Sequence, residues 1–423
     1  MELVVLILKI YLSLTAVIMI VYFIRHLLFT LNRLFGEQRY YYQDILDSEL
    51  PTVSVLVPMH NEEKVAADIL DLLISAEYPQ DKLEIIPIND HSTDNTKKIV
   101  NKYARQHPII KPLHRTRGKR GKPAGLNEAL KIVTSEIVIV FDADYLPPKG
   151  ILRDMAVAFK DPEVGAMMGR VVPINTPKNL LTRLLDLERS SGYQVDQQAR
   201  YNMKLIPQYG GTVGGFRRET FISLGGFDED VLSEDTELTY KFFVNGWKVI
   251  YASRVECYEE VPEEWKSRAG QIKRWARGHS QVMFKYLWPV LKSPRISIWE
   301  KIDGTLLLCI YAVPFLISIG IAASLALFFI GEMQIVESIF LFFLVVVYHT
   351  FGNFAPFNQI GMAALLDGMT YRTRLIPFIF FVFLYNLWNA SLGFINALVD
   401  FVSRREVSWQ KTDRFRRKSK GMK

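Results

Sequence analysis

Ile137-Val138-Ile139-Val140-Phe141-Asp142-Ala143-Asp144 is the stretch from which the rest of the chain can be read. Five successive β-prone apolar residues predict an inner strand, buried on both faces as in a parallel sheet. The strand ends in two acids one residue apart. In open α/β sheets ligands bind beyond the carboxyl ends of the strands, and residues i and i+2 leave a strand on the same side. Asp142 and Asp144 therefore face one crevice. Two carboxylates with no cation beside them in the sequence need a countercharge, which a hard divalent ion, Mg2+ or Mn2+, supplies when it carries a diphosphate. The alternative is a turn-capping Asp pair ahead of Pro147-Pro148, because D-x-D is a short string.

Upstream, Thr52 to Pro58 predicts a first strand, followed by His60-Asn61-Glu62-Glu63, whose side-chain acceptors and negative charge suit a helix start. Leu83 to Asn89 predicts a second strand that closes on Asp90, ahead of a Ser/Thr/Asp turn into another helix. Strand-helix-strand-helix is the pattern of a parallel sheet. Between Asp90 and Asp142 lies Arg117-Gly118-Lys119-Arg120-Gly121-Lys122-Pro123-Ala124-Gly125-Leu126-Asn127, cations and glycines leading into a helix whose N-terminus itself favours anions. It suits a phosphate-bearing ligand, and also reads as a solvated basic loop. It lacks both G-x-x-x-x-G-K-S/T and G-x-G-x-x-G, so neither a P-loop NTPase nor a dinucleotide fold is indicated.

Downstream, Asn179 to Ala199 is helical by period, suited to a membrane surface or a domain core. Gly210-Gly211-Thr212-Val213-Gly214-Gly215 is a wall that another backbone or a flat ligand can approach closely. Ser233-Glu234-Asp235 reads as a helix N-cap and its acidic first turn. Gln271-Ile272-Lys273-Arg274-Trp275 follows, in a segment (Glu263 to Lys292) that reads as interfacial, with Trp288 and Trp299 at headgroup level.

The chain has 423 residues, enough for one ordinary domain and a membrane part. From Leu3 to about Phe35 it exceeds the roughly 20 apolar residues needed to cross a bilayer and carries no small-residue cleavage pattern, so it reads as a retained anchor. Gly304 to Ile330, Ile335 to Phe351 and Ile376 to Val402 read as spans, and Asn353 to Leu366 as an extra short or re-entrant crossing. The net charge of +7 is concentrated in the tail after Phe401. A basic cluster just after an apolar span reads as a cytoplasmic, lipid-facing flank rather than a nucleic-acid site. Two cysteines, Cys257 and Cys309, exclude a disulfide framework and suit a reducing compartment. The expected organisation is an anchor over 1–36, an α/β domain over 51–262, interfacial helices over 263–300, spans over 303–402 and a basic tail over 403–423.

These motifs, in this order and flanked by apolar helices, resemble the membrane-embedded polysaccharide synthases among the family 2 glycosyltransferases: poly-N-acetylglucosamine, chitin, hyaluronan and cellulose synthases. The resemblance implies a GT-A fold, a Rossmann-like mixed sheet, in a cytoplasmic catalytic domain at the plasma membrane. It implies that Asp90, Lys122, Asn127, Asp142 and Arg274 bind a nucleotide-sugar donor, UDP-sugar first and GDP-sugar as the alternative. It further implies that Asp144, with Asp142, binds Mg2+ or Mn2+, that Asp235 is the general base, and that Trp275, Gln271, Gly210, Gly211 and Thr212 face the acceptor. Ser233 where Thr is commoner, Lys273 at a variable position and Pro123 where small residues are usual depart slightly from the pattern. Val407 to Arg414 vaguely resembles a loop that closes over the nucleotide, though a basic flank is the simpler reading.

The residue types suit the chemistry independently. A leaving diphosphate needs its charge neutralised, an acceptor hydroxyl needs a base, and an indole gives a sugar an apolar face. The leading expectation is an inverting, processive transferase that extends a β-linked polysaccharide, with inversion implied by the resemblance. The second is a non-processive transferase acting on a lipid, and the third a transporter with a nucleotide-binding domain. The third is weakened because the spans show no inverted repeat and no central charge.

Overall fold

The computed structural model describes residues 1–41, 46–332 and 355–403. The region 335–351 and the basic tail, including Val407 to Arg414, lie outside the described residues. In chain order the main elements begin with α1 (Glu2–Phe35), β1 (Val53–Met59), α2 (Ala66–Ile74), β2 (Leu83–Asp90), α3 (Thr96–Gln106), β3 (Leu113–Arg115), α4 (Lys122–Leu130) and β4 (Ile137–Val140). They continue with α5 (Ile151–Ala156), β5 (Val164–Pro173), α6 (Leu180–Ser190), a π-helical turn (Ser191–Gln197), α7 (Gln198–Asn202), β6 (Gly214–Arg217), α8 (Arg218–Ser223), α9 (Glu234–Val244) and β7 (Lys248–Glu259). The last described are α10 (Trp265–Lys292), α11 (Ile298–Leu308), α12 (Ala312–Ile330), α13 (Ala355–Leu366) and α14 (Ile376–Ser403).

The strands form one sheet in the order β3-β2-β1-β4-β6-β5-β7. β1 pairs in parallel with β2 and β4, while β6 runs antiparallel to both β4 and β5, so the sheet is mixed. Central β4 has all four residues at 0–1% exposure, because α-helical layers cover both faces. Burying each such Ile or Val contributes about 1.5–3 kcal/mol, an upper figure relative to an extended chain. One apolar cluster gathers Val55, Ile139, Leu70 and Leu152 on one face, and the other gathers Leu56, Val138, Leu126 and Phe216. The carboxyl ends of β1, β2 and β4 open toward the same edge.

Among the described residues three helices are long and apolar enough to cross a membrane: Glu2–Phe35, Ala312–Ile330 and Thr370–Ser403. The span expected from Gly304 starts later, at Ala312, because the chain breaks its helix at Cys309 to Tyr311. The short crossing expected over Asn353 to Leu366 is a 12-residue helix where it is described, below spanning length. Its Ile360 and Ala364 pack on Leu184 and Leu187 of α6 and on Ile379 and Val382 of α14. The helix at 180–202 is thus wedged between the mixed sheet and the apolar helices, a placement that period alone leaves open. Asn179 starts it with a reciprocal capping box to Thr182.

α10 packs along α14 and under α9. Tyr286 donates its hydroxyl to buried Glu237 at 2.7 Å, and Gln281 accepts the Leu232 N–H at 3.1 Å. A methyl at Gly393 would lie 2.6 Å from the Lys273 carbonyl, so glycine lets α14 touch the backbone of α10. On the outer side Trp288 and Trp299 are 63% and 69% exposed.

Candidate active site

A cavity of about 1360 Å3 begins at the carboxyl ends of β1, β2 and β4 and continues between the apolar helices. Asp90, Lys122, Asp142, Asp144, Gly210, Gly211, Thr212, Asp235, Gln271, Arg274 and Trp275 all line it. The fold brings together residues that lie far apart in the sequence.

At the sheet end of the cavity, α4 places Lys122 with its Nζ 2.9 Å from Asp142 Oδ1 and 2.9 Å from Glu234 Oε1. The same ammonium donates to the Gly211 carbonyl at 2.8 Å. The sequence offers Asp142 no adjacent cation, yet the fold supplies one. The two carboxylates hold the Lys122 pKa above its ordinary value against the opposing effect of burial, so it stays charged. Asp142 also donates its backbone N–H to Thr212 Oγ1 at 3.1 Å, which ties the D-x-D turn to the glycine wall. Beyond Val140 the chain leaves the strand, and Asp142 remains half-buried while Asp144 is 4% exposed.

Asp90 closes β2, and its carboxylate accepts from Arg115 at 2.5 Å and from the Gly121 N–H at 3.0 Å. It therefore shapes the basic loop as well as lining the cavity. Of the acids after β1, Glu62 lines the cavity, whereas Asn61 accepts from the Thr93 N–H and Glu63 from Asn95. Asn127 does not reach the cavity. It donates to the Phe227 carbonyl at 2.9 Å and accepts the Phe227 N–H at 3.0 Å, because α4 turns that face toward the 226–229 turn.

Asp235 stands in the first turn of α9. Burial pushes its pKa up to about 7, helped by the negative charge of Glu234 and opposed by the hydrogen bond from the Thr236 N–H and by Lys122. Gly211, at φ +73°, fits against it, where a methyl would sit 3.0 Å from the Asp235 Cβ. Ser233 holds the N-cap position, but its side chain makes no capping bond. It faces Gly278 of α10, where a methyl would lie 2.3 Å from the Ser233 Oγ. Buried His279, next on α10, donates from Nε2 to the Leu307 carbonyl at 2.9 Å, leaving Nδ1 to face Thr236 Oγ1 at 3.4 Å.

A buried carboxylate with a raised pKa, a lysine-bridged acid pair and two aspartates beyond one sheet edge are groups that can serve group transfer. The family model of glycosyl transferase family 2 matches residues 54–225. Over 381 residues the chain is 30% identical to the Probable glycosyltransferase YdaM of Bacillus subtilis, covering 88% of this chain and 89% of that protein. The chain belongs to glycosyl transferase family 2. This transferase is also 31% identical over 292 residues to the Beta-monoglucosyldiacylglycerol synthase of Nostoc sp., a match spanning 67% of this chain and 60% of that protein. Its fold is shared with the mannosyltransferase PcManGT of Pyrobaculum calidifontis, solved in complex with GDP-Man and Mn2+, at a TM-score of 0.58 and 24% identity over 85% of this chain and 98% of that one.

The transferase's own residues fit a divalent ion in part. Asp142 and Asp144 offer hard oxygens, but among the described residues no group of three or more His, Cys, Asp or Glu side chains forms a complete cage. Such a site suits Mg2+ or Mn2+ whose remaining positions are filled by substrate phosphates and water.

Past Asp235, the wall is lined by α6, the π-helical turn and α10. Arg189 bonds Glu259 at 2.8 Å and lies 5.0 Å over the Trp275 ring, and Arg268, paired with Glu188, lies 5.5 Å over the same ring. The indole expected to lie beneath an acceptor sugar is thus already a partner of two guanidiniums. Gln271 accepts from Arg268 at 2.9 Å, which fixes this arrangement. Arg189, Glu234, Glu259 and His279 were not legible as site residues, because only tertiary contacts bring them to the cavity.

Proposed function

We propose that this protein is an inverting glycosyltransferase that moves a sugar from a nucleotide-sugar donor to a hydroxyl of an acceptor delivered by the membrane. The observation that carries the reading is Asp235, a carboxylate with a pKa near 7 in the wall of the cavity that Lys122, Asp142 and Asp144 also line. The acceptor oxygen attacks the donor's anomeric carbon, its proton passes to Asp235, and the bond to the diphosphate breaks. Arg274 and Arg120, which line the cavity, would receive the nucleoside diphosphate. Asp142 and Asp144 would hold Mg2+ or Mn2+, which supplies charge neutralisation at the diphosphate when bound. UDP-sugar is the first expectation for the donor and GDP-sugar the alternative.

In this reading 51–262 is the catalytic domain, facing the cytoplasm at the plasma membrane, and 263–300 lies at the interface. The membrane section of the cavity is walled by apolar side chains such as Phe23, Ile317, Phe357, Ile379 and Phe383. Walls of that kind favour acyl chains over a hydrated glycan, so a lipid-borne acceptor is preferred. The processive polysaccharide synthase remains the second reading, supported by the continuity of the cavity from crevice to helices. Purified full-length protein with Mn2+ and labelled UDP-glucose, UDP-N-acetylglucosamine and GDP-mannose tests both. Organic-extractable product supports the first reading and water-soluble polymer the second, and no turnover of any donor counts against both.

A further inference from the structure

The helix at 180–202 carries a π-helical turn, Ser191–Gln197, in its middle. Such turns interrupt the regular register and re-aim side chains, often at functional sites. This one brings Gly192, Tyr193 and Asp196 to the cavity wall, between the catalytic crevice and the apolar section. Gln197 locks the turn to the glycine wall, donating to the Gln208 carbonyl at 2.8 Å and accepting its N–H at 2.9 Å.

The Tyr193 ring stacks on buried Tyr251 with centroids 6.3 Å apart, which fixes its direction. Its hydroxyl lies beside Gly210, 3.7 Å from where a methyl on that glycine would stand. Among the described residues nothing hydrogen-bonds to this hydroxyl, which leaves it open to the cavity that Tyr193 lines. Burial, then the neighbouring charges of Glu259 and Asp235 against that of Arg189, push its pKa up to about 12, so it remains a donor at neutral pH. At Gly192 a methyl would meet nothing within 4 Å, so the wall beside the tyrosine is open.

Four arginines in and behind this part of the wall are already paired. Arg189 pairs with Glu259 at 2.8 Å, Arg200 with Asp196 at 2.8 Å, Arg25 with Asp303 at 2.7 Å, and Arg268 with Glu188. A phosphate taken up by any of these four arginines would have to break its pair, leaving a carboxylate without its partner in a poorly solvated wall. An uncharged polyol would need no such exchange.

We propose that the π-helical turn forms the acceptor headgroup subsite, in which the Tyr193 hydroxyl holds the reacting hydroxyl of a lipid with an uncharged, hydroxyl-bearing headgroup. The inference rests on the glycosyl-transfer reading above and adds the acceptor's chemistry and a positioning residue. In the step, the acceptor O–H proton goes to Asp235, the new C–O bond forms at the sugar, and the nucleoside diphosphate leaves.

The full-length protein in phosphatidylcholine vesicles, with Mn2+ and the three labelled donors, is offered dioleoylglycerol or a polyprenyl phosphate. The expected result is lipid-extractable sugar with dioleoylglycerol and at least about tenfold less with the polyprenyl phosphate. Tyr193→Phe should raise the KM for dioleoylglycerol about tenfold, the effect of one lost hydrogen bond, while the Kd for UDP or GDP stays at the wild-type value. Gly192→Val should lower lipid glycosylation by filling the open wall. Preference for the polyprenyl phosphate, water-soluble polymer without labelled lipid, or an unchanged KM in Tyr193→Phe would overturn the subsite while leaving glycosyl transfer standing. Failure to turn over any donor would instead remove the transfer reading beneath it.

Discussion

The ammonium of Lys122 sits 2.9 Å from the carboxylate of Asp142, so the first acid of the D-x-D pair is held by a protein cation before a donor arrives. The same ammonium bridges to Glu234, one residue before the proposed base. The proposed donor site and the proposed base are therefore fastened by one side chain.

Replacing that side chain should be costly. Lys122→Met leaves two poorly solvated carboxylates without their countercharge, and losing one partner of such a network destabilises by about 3–5 kcal/mol. Chemical denaturation should register that loss, and nucleotide affinity should fall with it. A midpoint equal to wild type would mean that the bridge does not persist in solution.

The raised pKa of Asp235 sets two pH dependences. The base must be ionised, so kcat/KM should rise with pH and level off above about 7. For stability the sign is opposite: between the unfolded carboxyl value of about 3.9 and the folded value, the native state holds the extra proton, so stability falls as pH rises through that window. Asp235→Asn should remove that slope and be the more stable protein at pH 8. Thermal unfolding of both proteins across this pH range checks the sign.

Gly278→Ala places a methyl 2.3 Å from Ser233 Oγ and 2.9 Å from its backbone nitrogen. Overpacking of this kind destabilises by about 1–3 kcal/mol. Because the displaced segment carries Asp235, kcat should fall more than donor affinity. Adding Ser233→Ala should recover part of the loss by removing the nearer contact, and no recovery in kcat would separate Gly278 from the positioning of the base.

Asn127→Ala should behave as a fold variant. Its amide secures the backbone at Phe227, so about 1–3 kcal/mol of stability should be lost while donor Kd stays within about twofold of wild type. A tenfold loss in donor affinity with unchanged stability would return Asn127 to the donor site.

What the sequence discloses here is what lies within single elements. The run Ile137 to Val140, the acids at 90, 142 and 144, and the long apolar helices carry their signals in local period and residue type. The antiparallel β6, inserted between β4 and β5, has no such signal, because its Gly214-Gly215 start reads as a flexible wall. The Lys122 bridge, the contact of Ser233 with Gly278 and the guanidiniums over Trp275 are tertiary facts joining distant segments. The π-helical turn is invisible for another reason, since Ser191–Gln197 keeps ordinary helical composition and only its hydrogen bonds differ.

The most direct measurement compares wild type and Asp235→Asn, both full-length in phospholipid vesicles with Mn2+ and labelled nucleotide sugar, for donor binding and for sugar transferred. Equal donor affinity with transfer lost in the variant is the expected result. Transfer by Asp235→Asn at near the wild-type rate would contradict the account, because the proton of the attacking hydroxyl would then leave by another route.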